Sequence, residues 1–237
     1  DLIIQQLYEP GVAVYIGSWE VKCPHCDAKW TPLVGNWWLA RVVKSEGEEK
    51  AYARLAWMMP KIEGNKVRAE VVDLNRLLKG EKLRGTRIDS RKGLVTLPSG
   101  KAFEVPKSNV DPRREVAVCL HCNNTIRYID PQTGKHYPDK SKLNPEIKNR
   151  LVWYVKHALG KYHEGDPSLA RPILLVKVRK IGGKLEFETC REEDQKKLEI
   201  AKGEVEKFLQ QTDPDIPTEP IAPYGNRYIF SILYGMT

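Results

Sequence analysis

Two short stretches carry the residues best suited to chemistry, Cys23-Pro24-His25-Cys26 and Cys119-Leu120-His121-Cys122. A Cys-x-x-Cys pair on a tight turn can aim two thiolates at one ion. Two such pairs supply the four soft donors of a tetrahedral zinc site, with Zn–S bonds of about 2.3 Å. Cys23, Cys26, Cys119 and Cys122 are therefore the expected ligands of a structural Zn2+. The residue after the second cysteine of such a turn often needs a left-handed backbone. Asp27 and Asn123 stand there, among the non-glycine types most tolerant of it. A closed four-thiolate shell leaves no position for water or substrate, so the metal expected here ties a fold together and does no Lewis-acid chemistry.

Two rival readings are a thioredoxin-like redox pair and two unrelated buried pairs. The redox reading wants a pair at a strand-to-helix turn, and no helical period follows Cys26. Ninety-two residues separate Cys26 from Cys119, against about 15–20 in a compact four-cysteine site. That length does not forbid the site, because loop-closure cost grows only logarithmically and the insert carries its own hairpin signals. His25 and His121 could each replace a thiolate. With four cysteines at hand they read as exposed knuckle residues. His136, His157 and His163 show no partner pattern, and Cys190, at the start of a helix, reads as a half-buried small residue.

The elements that must position the cysteines are mostly strands. Residues 12–43 alternate and are rich in aromatics, 51–59 read as strand, and Gly64-Asn65 marks a hairpin turn. Residues 94–105 read as a hairpin over Pro98-Ser99-Gly100, and "EVAVC" and "TIRYI" flank the second cysteine pair. The second half changes period. Asn144 caps a helix that starts on Pro145, carries Glu146 in its first turn and runs to about 163, with Ile147, Leu151, Tyr154, Val155, Ala158, Leu159 and Tyr162 on one face. A hairpin turns over Gly182-Gly183, and a helix over 191–211 has Leu198, Ala201, Val205, Phe208 and Leu209 as its buried stripe. The expected class is α+β. An antiparallel, β-rich zinc ribbon with a long β insert occupies 12–130, a helix–hairpin–helix α+β half occupies 140–211, and a Pro-rich extended tail occupies 212–237.

The charge is uneven. The chain of 237 residues carries a formal net charge of +8. Residues 61–114 hold fourteen Lys/Arg against seven Asp/Glu, residues 135–180 eleven against four, and residues 186–219 five against eleven. Two basic stretches suit a polyanion, most simply nucleic acid; the plainer alternative is a solvated Lys-rich surface. The densest run, 76–92, offers Arg76, Lys79, Lys82, Arg84, Arg87, Arg91 and Lys92 as phosphate contacts. Trp19, Trp30, Trp37, Trp38 and Trp57 fall near the first pair and this basic insert. They could stack bases or fill a sheet core around the zinc, although Trp37 and Trp38 alternate and should not both face inward.

No stretch approaches the ~18 apolar residues of a membrane span, so no membrane partner is expected. Five cysteines, four of them in two pairs, point away from a secreted disulfide scaffold and toward a reducing, cytoplasmic setting. A chain that opens on Asp1 without Met and without a basic-then-apolar leader reads as a piece of a longer polypeptide. Phosphate-cradling, dinucleotide-binding, nucleophile-elbow and His-Glu-x-x-His patterns do not occur in it, and no catalytic or cofactor-binding residue is nominated.

Taken in order, "VKCPHC", "PLVGNWWLAR" at 32–41, the second Cys-x-x-Cys and "IPTEPIAPYGNRYIFSILYGMT" at 216–237 resemble the central region of the zinc-ribbon-containing adenine-specific DNA methylases. "GNWWLAR" and the "YGMT" tail carry the specificity of that resemblance. It implies a region lying between an upstream S-adenosylmethionine loop of the Phe-x-Gly-x-Gly type and a downstream Asp-Pro-Pro-Tyr motif, gripping DNA for a methyl transfer done by those parts. Neither motif is present: Asp111-Pro112, Asp130-Pro131, Asp166-Pro167 and Asp213-Pro214 each lack the second proline. Only the four cysteines transfer. S-adenosylmethionine, and any methyltransferase activity, would belong to the parent protein, whose catalytic parts become expected partners alongside DNA. From another class comes a protein-interaction insert with structural zinc, docking a partner through the acidic 191–211 helix and having no nucleic-acid role.

Overall fold

The computed structural model describes residues 9–26, 29–46, 49–78 and 83–212. Residues Tyr8–Gln195 form one unit, and the chain from Lys196 belongs to a second. The class is α+β: mostly antiparallel sheet with few helices among the described residues.

In the larger unit, strand β1 (Val12–Lys22) pairs on one side with β2 (Trp30–Pro32) and on the other with β15 (Ala170–Ile181), which pairs in turn with β16 (Lys184–Thr189). The β15–β16 hairpin turns on Gly182 and Gly183, both at positive φ, where a side chain would be strained. The regions expected at 12–130 and 140–211 thus contribute strands to one sheet. A second sheet joins β3 (Trp38–Glu46), β4 (Glu49–Glu63) and β5 (Lys66–Asp73), with the β4–β5 turn on Gly64-Asn65. After the one-turn helix α1 (Leu74–Leu77), a third sheet joins β6 (Arg87–Asp89), β7 (Leu94–Thr96) and β8 (Ala102–Glu104).

Strand β4 shows how these layers stack. Leu55, Ala56, Trp57 and Met58 are all at most 2% exposed. Successive strand side chains point to opposite faces, so a run of four buried residues requires cover on both faces. Leu55 and Trp57 pack with Leu74, Val95 and Leu97. Ala56 and Met58 pack with Trp37, Val176 and Phe187. The same double cover corrects the expectation for the paired tryptophans. Trp37 is buried in one core while Trp38, half-buried, packs on the other, and its ring meets Trp57 edge-on at 5.5 Å. Nor do Trp19, Trp30, Trp37, Trp38 and Trp57 fill the core around the cysteines. Trp30 lies instead beneath the Arg171 guanidinium at 4.1 Å, and Trp19 meets Tyr162 edge-on at 4.9 Å.

The third core surrounds the cysteines. It is built from Val21, Ala117, Ile126, Ile129, Tyr154, Val155, Ala158 and Ala170. Here the helix expected to run unbroken from 145 to about 163 is two helices, α2 (Pro145–Arg150) and α3 (Tyr154–His163). The expected cap is in place, with Asn144 Oδ1 accepting the Ile147 N–H at 2.9 Å. The break comes at Leu151, whose ψ of 130° turns the chain outward. Val152 and Trp153 then pair as β14 with β12 (Tyr128–Ile129), and the Tyr154 N–H donates to the Arg127 carbonyl. β-branched and aromatic residues suit that pairing, and a neighbouring strand outcompetes helical continuation.

The final helix, α4 (Glu192–Thr212), opens with Glu192, Glu193 and Asp194, which complement the positive end of its dipole. The stripe expected to be buried is not so throughout: Leu198 and Ala201 are half-buried, but Val205 is 43% exposed, as is Ile200 at 57%. The side chains of Phe208 and Leu209, and the tail after Thr212, lie outside the described residues. No described helix is long and apolar enough to cross a membrane.

One buried charge anchors the start of α4. The Lys177 ammonium, its side chain 7% exposed, lies 2.8 Å from Glu9, 3.4 Å from Asp194 and 3.8 Å from Glu188. Burial opposes its charge, yet the three carboxylates outweigh burial and hold its pKa above the ordinary value. Asp194, 2% exposed, also accepts the Arg191 N–H at 2.7 Å. Asp194→Ala therefore removes a charge partner and a cap together. It should lower unfolding free energy by about 2–4 kcal/mol in urea titration. Hydrogen bonds from Lys177 and Arg179 hold the Glu9 carboxyl down to about 2 from 4.5. A depressed carboxylate stabilises fully above its unfolded pKa, and that contribution fades as pH falls from about 4.5 toward about 2. Glu9→Gln should flatten the stability profile across that acid window and leave it unchanged in shape above.

Candidate metal centre

Each cysteine pair sits on a turn between strands. Cys23 follows β1; its N–H donates to the Lys29 carbonyl at 2.8 Å, and the Lys29 N–H donates to the Cys26 carbonyl at 3.0 Å. Cys119 follows β10 (Val116–Val118); its N–H donates to the Asn124 carbonyl, and the Asn123 N–H returns to the Cys119 carbonyl at 2.9 Å. Asn123 has φ +57°, the left-handed backbone anticipated there. Asp27 lies outside the described residues.

These turns bring the four Sγ atoms within 4.8 Å of one another. Cys23 and Cys122 are 3.8 Å apart across the cluster, and Cys26 and Cys119 are 3.7 Å apart. A disulfide needs about 2.05 Å, and all four thiols are free. A regular tetrahedron of sulfurs around 2.3 Å bonds has edges of about 3.8 Å. The cluster therefore has the donor type, the number and the spacing to hold a metal ion such as zinc.

The surroundings favour a thiolate at Cys119 and oppose one at Cys23 and Cys26. The His25 N–H points at Cys23 Sγ and the His121 N–H at Cys119 Sγ, each at 3.4 Å, the same contact in both pairs. Hydrogen bonding from Cys23, together with the N–H groups of Cys122 and His121, pushes the Cys119 thiol below its ordinary pKa. Hydrogen bonding with Cys119, together with burial, pushes the Cys23 thiol up. Protons and a cation thus compete for one set of sulfurs.

The histidine rings do more than face solvent. His25 is exposed, but its Nε2 is 3.2 Å from the Thr125 carbonyl beside the second pair. His121 is half-buried, and its Nε2 is 3.0 Å from the Trp30 carbonyl beside the first. Each ring crosses to the opposite arm; His25 is exposed as expected, whereas His121 is half-buried rather than an exposed knuckle residue. His136 packs against His25 and Tyr154, and burial pushes its pKa down. Cys190 is buried rather than half-buried, and burial pushes its thiol up to about 12.

Sequence reasoning missed the polar groups that join the arms. Asn109, 5% exposed, donates from Nδ2 to the Pro32 carbonyl at 2.7 Å and the Val118 carbonyl at 3.1 Å, and accepts the Val34 N–H at 2.8 Å. The Thr31 hydroxyl accepts the Leu120 N–H at 3.1 Å, and the Tyr154 hydroxyl donates to the Lys22 carbonyl at 2.8 Å. A lone Asn, Thr or Tyr has no spacing pattern that could have announced these roles.

Of the expected phosphate contacts, Arg76 on α1, Arg84, Arg87 on β6, and Arg91 and Lys92 on the β6–β7 turn are exposed. Lys79 and Lys82 lie outside the described residues. Asp89 Oδ1 accepts the N–H groups of Arg91 and Lys92, both at 3.0 Å, and fixes that turn. The cations belong to the layer packed on the Trp57 side of the central sheet, whereas the cysteines belong to a different core. No family model, no curated protein and no solved structure matches the chain.

Two outcomes are expected of the centre. Purified protein should carry one zinc per chain by elemental analysis, and Cys119→Ser should lose it; a chelator or mild acid should strip the metal and lower the melting temperature. A metal-free chain with an unaltered melting temperature would rule the site out. Asn109→Ala should cost about 2–3 kcal/mol, because it strands buried groups on both arms, and should speed zinc transfer to a chromogenic chelator.

Proposed function

We propose that the chain is a metal-tied DNA-binding region of an adenine-specific DNA methyltransferase. In this reading zinc on Cys23, Cys26, Cys119 and Cys122 fastens the scaffold, and the cations of 76–92 grip phosphates. The methyl transfer and its S-adenosylmethionine belong to parts of the parent that these residues do not form. The observation that supports DNA contact best is the exposure of Arg76, Arg84, Arg87, Arg91 and Lys92 around a sheet fixed by its own core. Exposed cations on a rigid mount suit a regular lattice of phosphates, which rewards fixed spacing. The adenine-methylase part of the reading rests on the motif resemblance alone.

A second reading has one observation in its favour. Ile200 and Val205 stand exposed on the acidic helix α4, as a protein-docking face would.

Charge reversal separates the two. In fluorescence anisotropy with a 20-base-pair duplex, log affinity should fall linearly with log salt. Each phosphate contact removed should lower the slope by about 0.9, so Arg87→Glu with Arg91→Glu and Lys92→Glu should lower it by about 2–3. Charge reversal in α4 should leave DNA binding unchanged. A flat salt response, with α4 reversal abolishing capture of methyltransferase catalytic parts, would favour the docking face instead.

A further inference from the structure

The basic layer and the central sheet meet at a cleft of about 230 Å³. One wall is the loop Gly35-Asn36-Trp37-Trp38, which leads into β3. The opposite wall is the β6–β7 turn with Asp89, Ser90 and Gly93, and the floor segment runs from Val105 to Ser108. The walls are held in place. Trp37 Nε1 donates to the Lys107 carbonyl at 3.0 Å, and Asn36 Oδ1 accepts the Trp38 N–H at 3.1 Å. Gly93 has φ +69°, and a Cβ there would fall 2.5 Å from the Val105 carbonyl oxygen, so the turn can approach the floor only as glycine.

Three properties of the cleft converge on one kind of occupant. It is smaller than the roughly 300–1,000 Å³ of ordinary ligand pockets, a size for one flat ring rather than a dinucleotide. It has an aromatic wall: Trp38 is only half-buried, and the Arg41 guanidinium lies 5.8 Å from its ring. Its polar lining holds both donors and acceptors. The Asn36 amide NH2 makes no hydrogen bond among the described residues, and Ser90, Lys107 and the Asp89 carboxylate are exposed at the rim. The turn that forms one wall also carries Arg91 and Lys92, both exposed. A ring that entered here would bring an attached phosphate beside two cations.

We infer that this cleft receives a single unstacked nucleobase from a nucleic-acid strand whose phosphates meet Arg91 and Lys92. The inference rests on the reading that the chain binds DNA and goes beyond it by giving one base a seat. The base stacks on Trp38, its polar edge meets Asn36 and Asp89, and no bond is made or broken.

The test uses the full zinc-loaded chain and two fluorescein-labelled duplexes of one sequence, perfectly paired or carrying a single bulged adenine. A bulged base has no pairing partner and so costs less to extrude, and the bulged duplex should bind roughly tenfold more tightly, in line with base–aromatic stacking. Gly35 offers a way to fill the cleft, since a Cβ there meets nothing within 4 Å and the backbone is unstrained. Gly35→Leu should abolish the tenfold preference while leaving the melting temperature and perfect-duplex affinity unchanged. Should Gly35→Leu fail to fold, Ser90→Phe, at an exposed rim position, makes the same test. Arg91→Glu with Lys92→Glu should weaken both duplexes together. Equal affinity for the two duplexes, or a preference that survives filling the cleft, overturns the base seat and leaves DNA binding standing. Binding of neither duplex at low salt overturns both.

Discussion

The fold depends on four sulfur atoms meeting at the edge lengths of a small tetrahedron. Their spacings of 3.7 and 3.8 Å bind together two turns separated by ninety-two residues. Closing so long a loop costs only slightly more than closing a short one, provided the enclosed chain is itself ordered. The enclosed chain meets that condition with two sheets and a core of its own, built on Leu55, Trp57 and Val95. The metal site and the insert are therefore complementary: the site sets where the insert begins and ends, and the insert's packing keeps the ends from drifting. Asn109 joins the two directly, because one buried amide satisfies carbonyls on β2 and β10 at once.

Strand β4 plays the corresponding part for the layers. With both faces covered, it transmits position from the layer of β15 and β16 to the basic one without an intervening flexible loop. Trp37 and Trp38, adjacent in sequence, sit on opposite sides of this arrangement. Their loop consequently touches the core on one side and the cleft on the other. The ion pairs around Lys177 fix the start of the last helix by a different means: three carboxylates gather around one buried cation. Removing Asp194 leaves the buried ammonium with Glu9 at 2.8 Å and Glu188 at 3.8 Å, so the loss is that of one charge partner and one helix cap.

What could be read in the sequence was local. The Cys-x-x-Cys spacing, the glycine turns at 64–65 and 182–183, the Asn144 cap and the left-handed Asn123 each depend on a few adjacent residues, and each has a short-range physical cause. What escaped depends on partners distant in the chain. The break after Arg150 occurs because β12 offers a strand to Val152 and Trp153. The crossing histidines need carbonyls 91 and 100 residues away. That Trp37 is buried while its neighbour Trp38 packs half-buried on a second core requires a third layer, and an alternation pattern assumes that only one face is covered. The α+β class was legible from periodicity, but the pairing of β1 with β15 was not, since nothing in either strand names its neighbour.

Electrostatics offers a reason for keeping metal and cations in separate layers. A zinc ion on four thiolates leaves two net negative charges, and N–H contacts from His25 and His121 spread that charge without cancelling it. Phosphate brought close would meet repulsion that falls off only over a Debye length of about 8–10 Å. Arg87, Arg91 and Lys92 stand on a sheet whose core excludes the cysteines. A DNA-facing surface of the kind proposed, built there, would take its rigidity from its own core while keeping its distance from the thiolates' charge. Placing the same cations on the knuckles themselves would set them to neutralise sulfur rather than phosphate.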